Sequence, residues 1–517
     1  MFVLPKQQNF WVRDLQSFMH CSKRSTTFSV GTNMVTIGGV SKAIGKPRNQ
    51  YLVPKYYLKL NQLTQTELRH LRWLMQKDTL GQDIYLIGTP GVARRHLVLQ
   101  YLELMNREYE YLTLTRDTTE ADIKQRREIK NGTAFYTDQT AVRAAVHGRI
   151  LVLDGIEKAE RNVLPTLNNL LENREMNLDD GRFLVAPLKF DKLLQAHTAA
   201  ELEAWKLVRV SEYFSVIALG LHVPRFRGHS LDPPLRSRFQ ARNVGLMSFK
   251  EMFSRLCHIA PNIASDRISS FSTFVYALMS EEAEKMALPE FPIDSIMFAA
   301  RLWNHNPNMT ESDVIELIYP TKLILNEEGK NSVAIALKNF NIGETKISTA
   351  SIYDISVAEE SNNAKVDIMW NKMQTPVNVS VGCSKSDSLD NVDDYVATKT
   401  HDTVLAEMMM SHAVHDMCLV GNKGSGKTTL VEKFAKLLKY DPVFVMLYQD
   451  MTSRDLLQRR RMLPNGDTQW EHSPLVEAAL TGKLAVLDGI DRVHHSTLAV
   501  LNRLESAFKQ QVTWQFW

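Results

Sequence analysis

The residues with the clearest chemical purpose form a loop of the pattern G-x-x-x-x-G-K-T near the end of the chain. The loop runs from Gly421 to Thr429. Glycines in this pattern let the backbone curl so that its N–H groups point at phosphate oxygens. Lys427 adds a charge for the β- and γ-phosphates of a nucleotide, and the Thr428 hydroxyl is placed to bind Mg²⁺. The other predicted phosphate-binding residues are Gly424, Ser425, Gly426 and Thr429.

The sequence on each side of this loop supports a phosphate-binding role. The apolar run Met417–Val420 predicts a short strand before the loop, and Leu430–Leu438 has helical periodicity. The alternative, a glycine-rich turn with an incidental lysine, does not require a strand before it and a helix after it. We therefore favour the phosphate loop.

A second loop of related pattern lies far upstream. The predicted strand Asp83–Ile87 leads into Gly88, and a helical run opens at Leu97. Gly88, Gly91 and Arg94 are predicted to contact phosphate, but the chemistry is altered. Ala93, Arg94 and Arg95 replace the last glycine, the lysine and the Mg²⁺-binding hydroxyl residue. A guanidinium still attracts phosphate, so the sequence leaves nucleotide binding open here and makes hydrolysis doubtful.

The two loops belong to an internal repeat. Gly88 matches Gly421, 333 positions later, and the runs 117–127 and 450–460 match with the same offset. The runs 151–157 and 485–491 then match with an offset of 334. The offset between the matching runs changes by only one residue over this length. This regularity indicates duplicated domains, which we call copy one and copy two.

Each copy has an apolar strand that ends in an aspartate after its phosphate loop. Asp154 and Asp488 are candidates for the carboxylate that holds Mg²⁺. A buried strand ended by a turn aspartate is the alternative, and the loop upstream makes it less favoured. Asp488 is therefore a predicted catalytic and metal-binding residue together with Thr428.

Copy one continues past the point at which its match with copy two ends. It contains a buried strand at 214–220 and a proline-rich turn that carries Arg236 and Arg238. An arginine supplied across a subunit boundary completes some phosphoryl-transfer sites, although two arginines in a turn are more often a solvated surface. Residues 247–320 are helical in pattern and suit a lid. Alternating runs from 321 to 400 predict a small β-rich linker.

Composition narrows the class of protein. Hydrophobic content of 44% and a net charge of +3 in 517 residues are ordinary for a globular chain, and we expect no nucleic-acid partner and no transmembrane segment. Residues 1–66 carry nine Lys or Arg against Asp14 alone. This bias, with many hydroxyl residues in the first thirty positions, suits a mitochondrial transit peptide or a loosely ordered basic tail.

Several segments together carry a family resemblance. The strand, phosphate loop, Asp-ended strand, arginine turn and lid resemble an AAA+ ATPase of the dynein-related, midasin-like group. The sequences of four segments closely resemble the von Willebrand factor A domain-containing protein eight family. These segments are 139–145, 159–165, 170–176 and 446–452. The resemblance covers about residues 31–510.

The resemblance implies a matrix-side mitochondrial ATPase that uses ATP and Mg²⁺, and it favours the transit peptide. It also implies that the chain is an N-terminal part or short form. Lys427, Thr428 and Asp488 match the ATP and Mg²⁺ positions, and Arg236 and Arg238 match the arginine-finger region. Two departures stand out. Gly155 and Gly489 replace the catalytic glutamate, so that Glu157 or Asp491 would have to substitute, and the polar residue expected near Gly220 is missing.

We expect an α/β P-loop NTPase fold, with a parallel sheet and helical lid, duplicated and with a truncated second copy. The first hypothesis is an ATPase that converts ATP binding and hydrolysis into movement between modules or subunits. Its expected partners are further copies of the chain or longer AAA+ family members. The rival is a nucleotide-binding scaffold with little hydrolysis. The expected regions are 1–45 (transit peptide or basic tail), 46–246 (first AAA+ large domain), 247–320 (lid), 321–400 (β-rich linker) and 401–517 (second P-loop domain).

Overall fold

The computed structural model describes residues 28–31, 33–59, 62–285, 288, 291–343, 350–357, 363–370, 373–382 and 396–501. The aromatic end of the chain, the polar loop 384–394 and most of the predicted transit peptide lie outside these residues. Every helix in the described ranges is too short or too polar to cross a bilayer.

The described chain alternates strands and helices through most of its length. The strands are β1 (Phe28–Val30), β2 (Met34–Ile37), β3 (Val40–Ala43), β4 (Ile84–Gly88), β5 (Tyr109–Thr113), β6 (Gln125–Lys130), β7 (Thr133–Asp138), β8 (Ile150–Asp154), β9 (Met176–Asn177), β10 (Phe183–Val185), β11 (Leu207–Arg209), β12 (Ser215–Leu221), β13 (Gln240–Val244), β14 (Ala350–Val357), β15 (Asn363–Trp370), β16 (Met373–Ser380), β17 (Pro442–Met446), β18 (Gln458–Met462), β19 (Thr468–His472) and β20 (Leu484–Asp488).

The helices separate these strands and build the lid. They are α1 (Gln65–Thr79), α2 (Ala93–Leu104), α3 (Glu120–Ile123), α4 (Thr140–His147), α5 (Asn168–Glu172), α6 (Pro187–Ala196), α7 (Ala199–Ala204), α8 (Pro233–Arg238), α9 (Phe249–Ile259), α10 (Ser265–Leu278), α11 (Glu281–Lys285), α12 (Ser295–His305), α13 (Glu311–Ile318), α14 (Thr321–Ile324), α15 (Glu327–Asn339), α16 (Lys399–His412), α17 (Lys427–Leu437), α18 (Ser453–Leu457) and α19 (Pro474–Thr481).

Copy one is built on a five-stranded parallel sheet. Its order is β13-β4-β12-β8-β5, with Gly88 opposite Leu221 and Asp154 opposite Leu219. The inner strands β4, β12 and β8 are apolar because helices cover both faces, and separate hydrophobic clusters fill the two sides. Since all five strands run the same way, the loop after β4 and the aspartate that ends β8 meet at one edge. The predicted strands of copy one are confirmed.

In the described part of copy two the parallel sheet has only two strands, and one prediction about this copy is wrong. Strands β17 and β20 pair in parallel, with Phe444 opposite Val486, just as Tyr111 lies opposite Val152 in copy one. The predicted strand Met417–Val420 is irregular, and Val420 is 60% exposed. In copy one the matching strand β4 is held between β12 and β13. Residues 396–501 contain no equivalents of those two strands, so the local pattern has nothing to pair with.

The lid, the linker and the first helices of copy two share one hydrophobic core. This cluster includes Trp303 of α12, Val366 of β15, Met409 of α16 and Phe434 of α17. The predicted alternating strands form the antiparallel sheet β14-β15-β16. The linker begins later than predicted, because α14 and α15 occupy 321–339 and continue the helical lid.

The N-terminal boundary also differs from the prediction. Strands β1, β2 and β3 form an antiparallel sheet within the predicted tail 1–45. Val35 and Ile37 are fully buried in the copy-one core against residues of α1 and α2. Residues 28–45 therefore belong to the folded domain, and only 1–27 keep the composition of a leader without a described place in the fold.

The two copies contact each other through matching elements. Hairpin β6-β7 of copy one lies beside hairpin β18-β19 of copy two, where Trp470 Nε1 donates to Glu128 Oε1 at 3.2 Å. Arg454, in α18, places Nη2 2.8 Å from both carboxylate oxygens of Asp122, in α3. The duplicated domains are therefore neighbours joined by charged contacts.

Candidate functional site

The phosphate loop of copy two has the backbone that its glycines predict. Gly424 and Gly426 adopt φ of +79° and +77°, a left-handed conformation that is costly for other residues. Gly426 directly precedes α17, so the curl of the loop ends at the first turn of an eleven-residue helix. Helix N-termini carry unpaired N–H groups and partial positive charge, which favour a bound phosphate.

Lys427 is positioned by the loop that precedes it. Its Nζ donates to the carbonyl oxygens of Gly421 and Asn422, both at 2.8 Å. These two bonds hold the ammonium against the loop, and Nζ has a third proton to donate to an anion. Thr428 and Thr429, in the first turn of α17, are exposed. The loop therefore has the donors and the open surface that a nucleotide phosphate requires.

The predicted metal and catalytic carboxylates of copy two are open to solvent. Asp488 ends β20 and is exposed, and its carbonyl accepts from Leu447 N at 2.8 Å. Asp491, the possible substitute for the catalytic glutamate, is also exposed. An exposed carboxylate and a hydroxyl such as that of Thr428 are oxygen ligands that suit Mg²⁺. The donor set of copy two thus fits Mg·ATP.

Glycine stands in the catalytic-glutamate position of both copies for a conformational reason. Gly155 and Gly489 have φ of +84° and +83°. A Cβ at either position would also lie 3.2 Å from a backbone carbonyl, that of Leu114 or Leu447. A glutamate would be strained at both turns, so the departure noted in the sequence follows from the shape of the turn.

His401 is a residue of this site that the sequence did not indicate. Its Nε2 lies 3.3 Å from the position that a Cβ of Gly426 would occupy. The histidine comes from α16, 25 residues before Gly426 in the chain. No motif connects the two positions, so only the packing of α16 on the loop brings them together.

In copy one the equivalent of Lys427 is Arg94, whose guanidinium bonds to a neighbouring strand. Arg94 is buried, and its Nη1 donates to the carbonyl oxygen of Gly220, at the end of β12. Burial lowers the pKa of this guanidinium. The predicted contact of Arg94 with phosphate gains no support from this geometry. The side chain instead reaches the strand end where a polar residue was expected and found missing.

An ion pair replaces the predicted metal site of copy one. Arg95 Nη2 lies 3.1 Å from Asp154 Oδ2, and the Tyr111 hydroxyl donates to the same oxygen at 2.5 Å. Burial alone would lower the pKa of Arg95, but the attraction of Tyr111 and Asp154 outweighs it and raises that pKa. Both side chains are largely buried, at 10% and 15% exposure. These residues do not fit Mg²⁺, because a guanidinium already neutralises the carboxylate.

A lid carboxylate lies in the phosphate loop of copy one. Val92 N donates to Asp294 Oδ2 at 2.9 Å. A Cβ at Gly91, where φ is +130°, would lie 2.9 to 3.2 Å from the Asp294 carboxyl group. The approach is possible because Gly91 has no side chain.

Glu157, the possible substitute for the catalytic glutamate in copy one, is enclosed. It is 3% exposed, and burial raises its pKa. Its Oε2 accepts from Leu221 N at 3.3 Å, and its carbonyl accepts from His229 N at 2.7 Å. The side chain thus ties the turn after β8 to the loop after β12.

The two predicted finger arginines differ in their surroundings. Arg238 pairs with Glu172 and also donates to the carbonyl of Pro234. Arg236 is exposed on the same short helix, α8. Arg236 is therefore the more accessible of the two arginines.

Comparisons with known proteins agree with this architecture. The AAA domain family, dynein-related subfamily, matches residues 83–239 and 416–515. Von Willebrand factor A domain-containing protein 8 of Mus musculus is 50% identical over 474 residues, which are 91% of this chain and 25% of the mouse protein. The chain thus spans about a quarter of the length of that relative.

Two more distant similarities cover less. Protein CbbQ of Hydrogenophilus thermoluteolus is 34% identical over 88 residues, 17% of this chain and 33% of that protein. A solved structure of a Cytophaga hutchinsonii protein aligns over 54% of this chain and 91% of its own, at 14% identity and a TM-score of 0.28. The last similarity is too low to carry an argument.

Proposed function

Two segments of this chain belong to the dynein-related subfamily of AAA domains, and we propose that the second one is a working Mg·ATP site that drives movement between modules. The observation that carries the proposal is the copy-two loop, in which two left-handed glycines lead into α17 and Lys427 Nζ is held over Gly421 O and Asn422 O. ATP binding itself is implied by the family.

Each predicted site residue of the copy-two loop and of the strand end at Asp488 has a proposed role. Lys427 neutralises the β- and γ-phosphates, and Thr428 and Asp488 hold Mg²⁺ through oxygen atoms. Mg²⁺, when bound, supplies charge that offsets the charge of the phosphates. The backbone N–H groups of the loop surround the phosphates. The residues proposed for that last role are Gly421, Gly424, Ser425, Gly426 and Thr429.

Hydrolysis requires a base that orients water, and Asp491 is the proposed substitute for the missing glutamate. The rival function, nucleotide binding with little turnover, is favoured by one observation. Gly489 has φ of +83°, so the ordinary position of the base is closed to an acidic side chain. Asp491 lies two residues further on and is exposed.

A turnover assay on the full chain separates the two functions. Phosphate release at saturating Mg·ATP should fall at least tenfold in Asp488→Asn, because the variant weakens the metal ligand. If the unchanged chain releases phosphate no faster than the variant, the ATPase function is excluded. Nucleotide binding with little turnover is then the remaining function. Nucleotide titration of both proteins shows whether binding survives.

We propose that Arg236, and less directly Arg238, act on the nucleotide of a neighbouring subunit. The exposed position of Arg236 on α8 supports this role, since a finger must reach across an interface. The partner is a second copy of this chain or a longer AAA+ family member. Multi-angle light scattering should show an increase in mass on adding ATP, and a strict monomer under both conditions would rule out the finger role for this chain.

We further propose a mitochondrial, matrix-side location. The support is composition, because residues 1–27 carry Lys6, Arg13, Lys23 and Arg24 against Asp14. Since β1–β3 belong to the fold, a fusion of residues 1–27 to a fluorescent reporter should enter mitochondria as well as a fusion of 1–45. Diffuse cytosolic signal from both fusions would contradict the proposal.

A further inference from the structure

We propose that the phosphate loop of copy one is a carboxylate site, and that its ligand is the chain's own Asp294. The loop then fastens the lid to the large subdomain and has no place for nucleotide. This inference concerns copy one alone, so it stands whether or not copy two hydrolyses ATP.

The first support is the contact itself. Asp294 Oδ2 accepts from Val92 N at 2.9 Å, the distance of a normal hydrogen bond to an ionised acceptor. The carboxyl group lies against the backbone of Gly91, within 2.9 to 3.2 Å of the Cβ position that glycine leaves empty. The aspartate therefore occupies space that an anion bound by the loop would use.

The second support is the rigidity of the element that carries the aspartate. Asp294 directly precedes α12, whose Ile296, Ala299 and Trp303 are at most 1% exposed in the lid core. Because α12 is firmly packed, the backbone of Asp294 is already fixed in position. Little further conformational entropy is lost when its carboxylate binds the loop. Its hydrogen bond joins positions 202 residues apart in the chain, and so links the lid to the large subdomain.

The third support is the charge of the loop. A working phosphate loop adds a lysine and a metal ion to its N–H groups. In copy one Arg94 donates to Gly220 O, and Arg95 pairs with Asp154. With both cations engaged elsewhere, the loop is left with uncharged donors, such as the Val92 N–H that meets Asp294. They suit the single charge of a carboxylate better than the several charges of a nucleotide with its metal.

Hydrogen exchange on the full chain tests the proposal. Asp294→Ala should speed exchange of the Val92 amide roughly tenfold or more, because a charge-assisted hydrogen bond is lost. Asp266→Ala is the matched control, since Asp266 is an exposed aspartate in the first turn of another lid helix, α10. The control should leave exchange at 88–95 unchanged.

Nucleotide provides the second arm. In the unchanged chain, saturating Mg·ATP should leave exchange at 88–95 as it was, whereas protection of 421–429 in the same sample reports binding at copy two. Failure of that protection would count against the proposed function and not against the carboxylate site. Protection of 88–95 by Mg·ATP would overturn the carboxylate site, since nucleotide would then displace Asp294.

A third variant guards against unfolding of the lid. If Asp294→Ala accelerates exchange throughout α10, Asp294→Asn replaces it, because the amide oxygen still fits but carries no charge. An exchange rate at Val92 that lies between the rate in the unchanged chain and the rate expected for complete loss of the hydrogen bond supports the carboxylate site. Unchanged exchange at Val92 in a folded variant would overturn it.

Discussion

Copies one and two share a phosphate-loop pattern, an Asp-ended strand and a glycine turn. The side chains at matching positions are buried and paired in copy one but exposed in copy two. In copy one Arg95, Tyr111 and Asp154 form a buried set of contacts. The residues 333 or 334 positions later are Thr428, Phe444 and Asp488, and all three are exposed. Copy one thus uses the predicted Mg²⁺ positions for contacts within the fold, whereas copy two leaves them open to solvent.

The comparison also shows how a repeat separates folding from binding. A buried ion pair that loses one partner costs much of the stability of a domain, so the arginine of copy one is now needed for the fold. An exposed hydroxyl in copy two contributes little to stability and is available for a ligand. Three predictions test this division, from the largest expected effect to the smallest.

The largest effect should come from Arg95→Thr, which restores the hydroxyl of a working site to copy one. It leaves Asp154 buried with Tyr111 as its donor, so the free energy of unfolding of copy one should fall by about 3–5 kcal/mol. The matched change Thr428→Ala in copy two should stay within about 0.5 kcal/mol. Scanning calorimetry measures both, and equal shifts in Tm would show that the two positions do not differ in structural role.

The next effect concerns nucleotide affinity. Lys427→Ala removes a charge and its hydrogen bonds to phosphate, so Mg·ATP should bind roughly a hundredfold more weakly, or about 2.7 kcal/mol. Arg94→Ala should change total binding much less, because that side chain donates to Gly220 O. Calorimetric titration of both variants, each shown to be folded by circular dichroism, measures the losses. Equal losses of affinity from the two variants, or no loss from Lys427→Ala, would show that the nucleotide site is wrongly assigned to copy two.

The smallest effect concerns the helix that precedes each loop. The buried side chains of α1 are all apolar, but α16 carries the largely buried Glu407. Burial, with Asp313 and Glu316 of α13 adding repulsion, raises the pKa of Glu407 from 4.5 to about 7. The folded state therefore holds this proton more tightly than the unfolded state. Stability that is present below pH 4.5 is lost as the pH rises towards 7.

Glu407→Gln removes this titration while keeping the shape of the side chain. The stability lost between pH 4.5 and 7.5 should be smaller in the variant by roughly 1–2 kcal/mol, after allowing for solvent screening. Thermal unfolding at several pH values measures the difference. An identical pH profile in the two proteins would show that Glu407 is not the titrating group. Glu432→Gln, in α17, is a suitable control for a general loss of negative charge.

Much of the fold could be predicted because the informative patterns are local. The periodicity before and after Gly88 predicts β4 and α2, and the alternating runs predict β15 and β16. The resemblance is supported by the match of two segments to the dynein-related AAA domain family and by the similarity to the mouse protein. The α/β class is confirmed by the parallel sheet of copy one and its helices. The proposed roles of the copy-two site residues remain predictions, supported by the conformation of their loop.

The predictions that were wrong concern segments whose state depends on distant partners. Met417–Val420 has the pattern of a strand, but a parallel strand is stable only between neighbours, and copy two offers none in its described part. The predicted tail extended to residue 45 because composition cannot show that Val35 and Ile37 pack on helices α1 and α2. In both places the tertiary contacts overrode the local signal.

The sequence by itself determined the loop, the repeat and the asymmetry between the copies, because each is a matter of residue type and spacing. Only the tertiary structure decided what the altered residues of copy one do. Arg95 meets Asp154 across 59 positions, and Asp294 meets Val92 across 202. Contacts between such distant positions depend on how the sheet and lid pack. No spacing in the sequence encodes them.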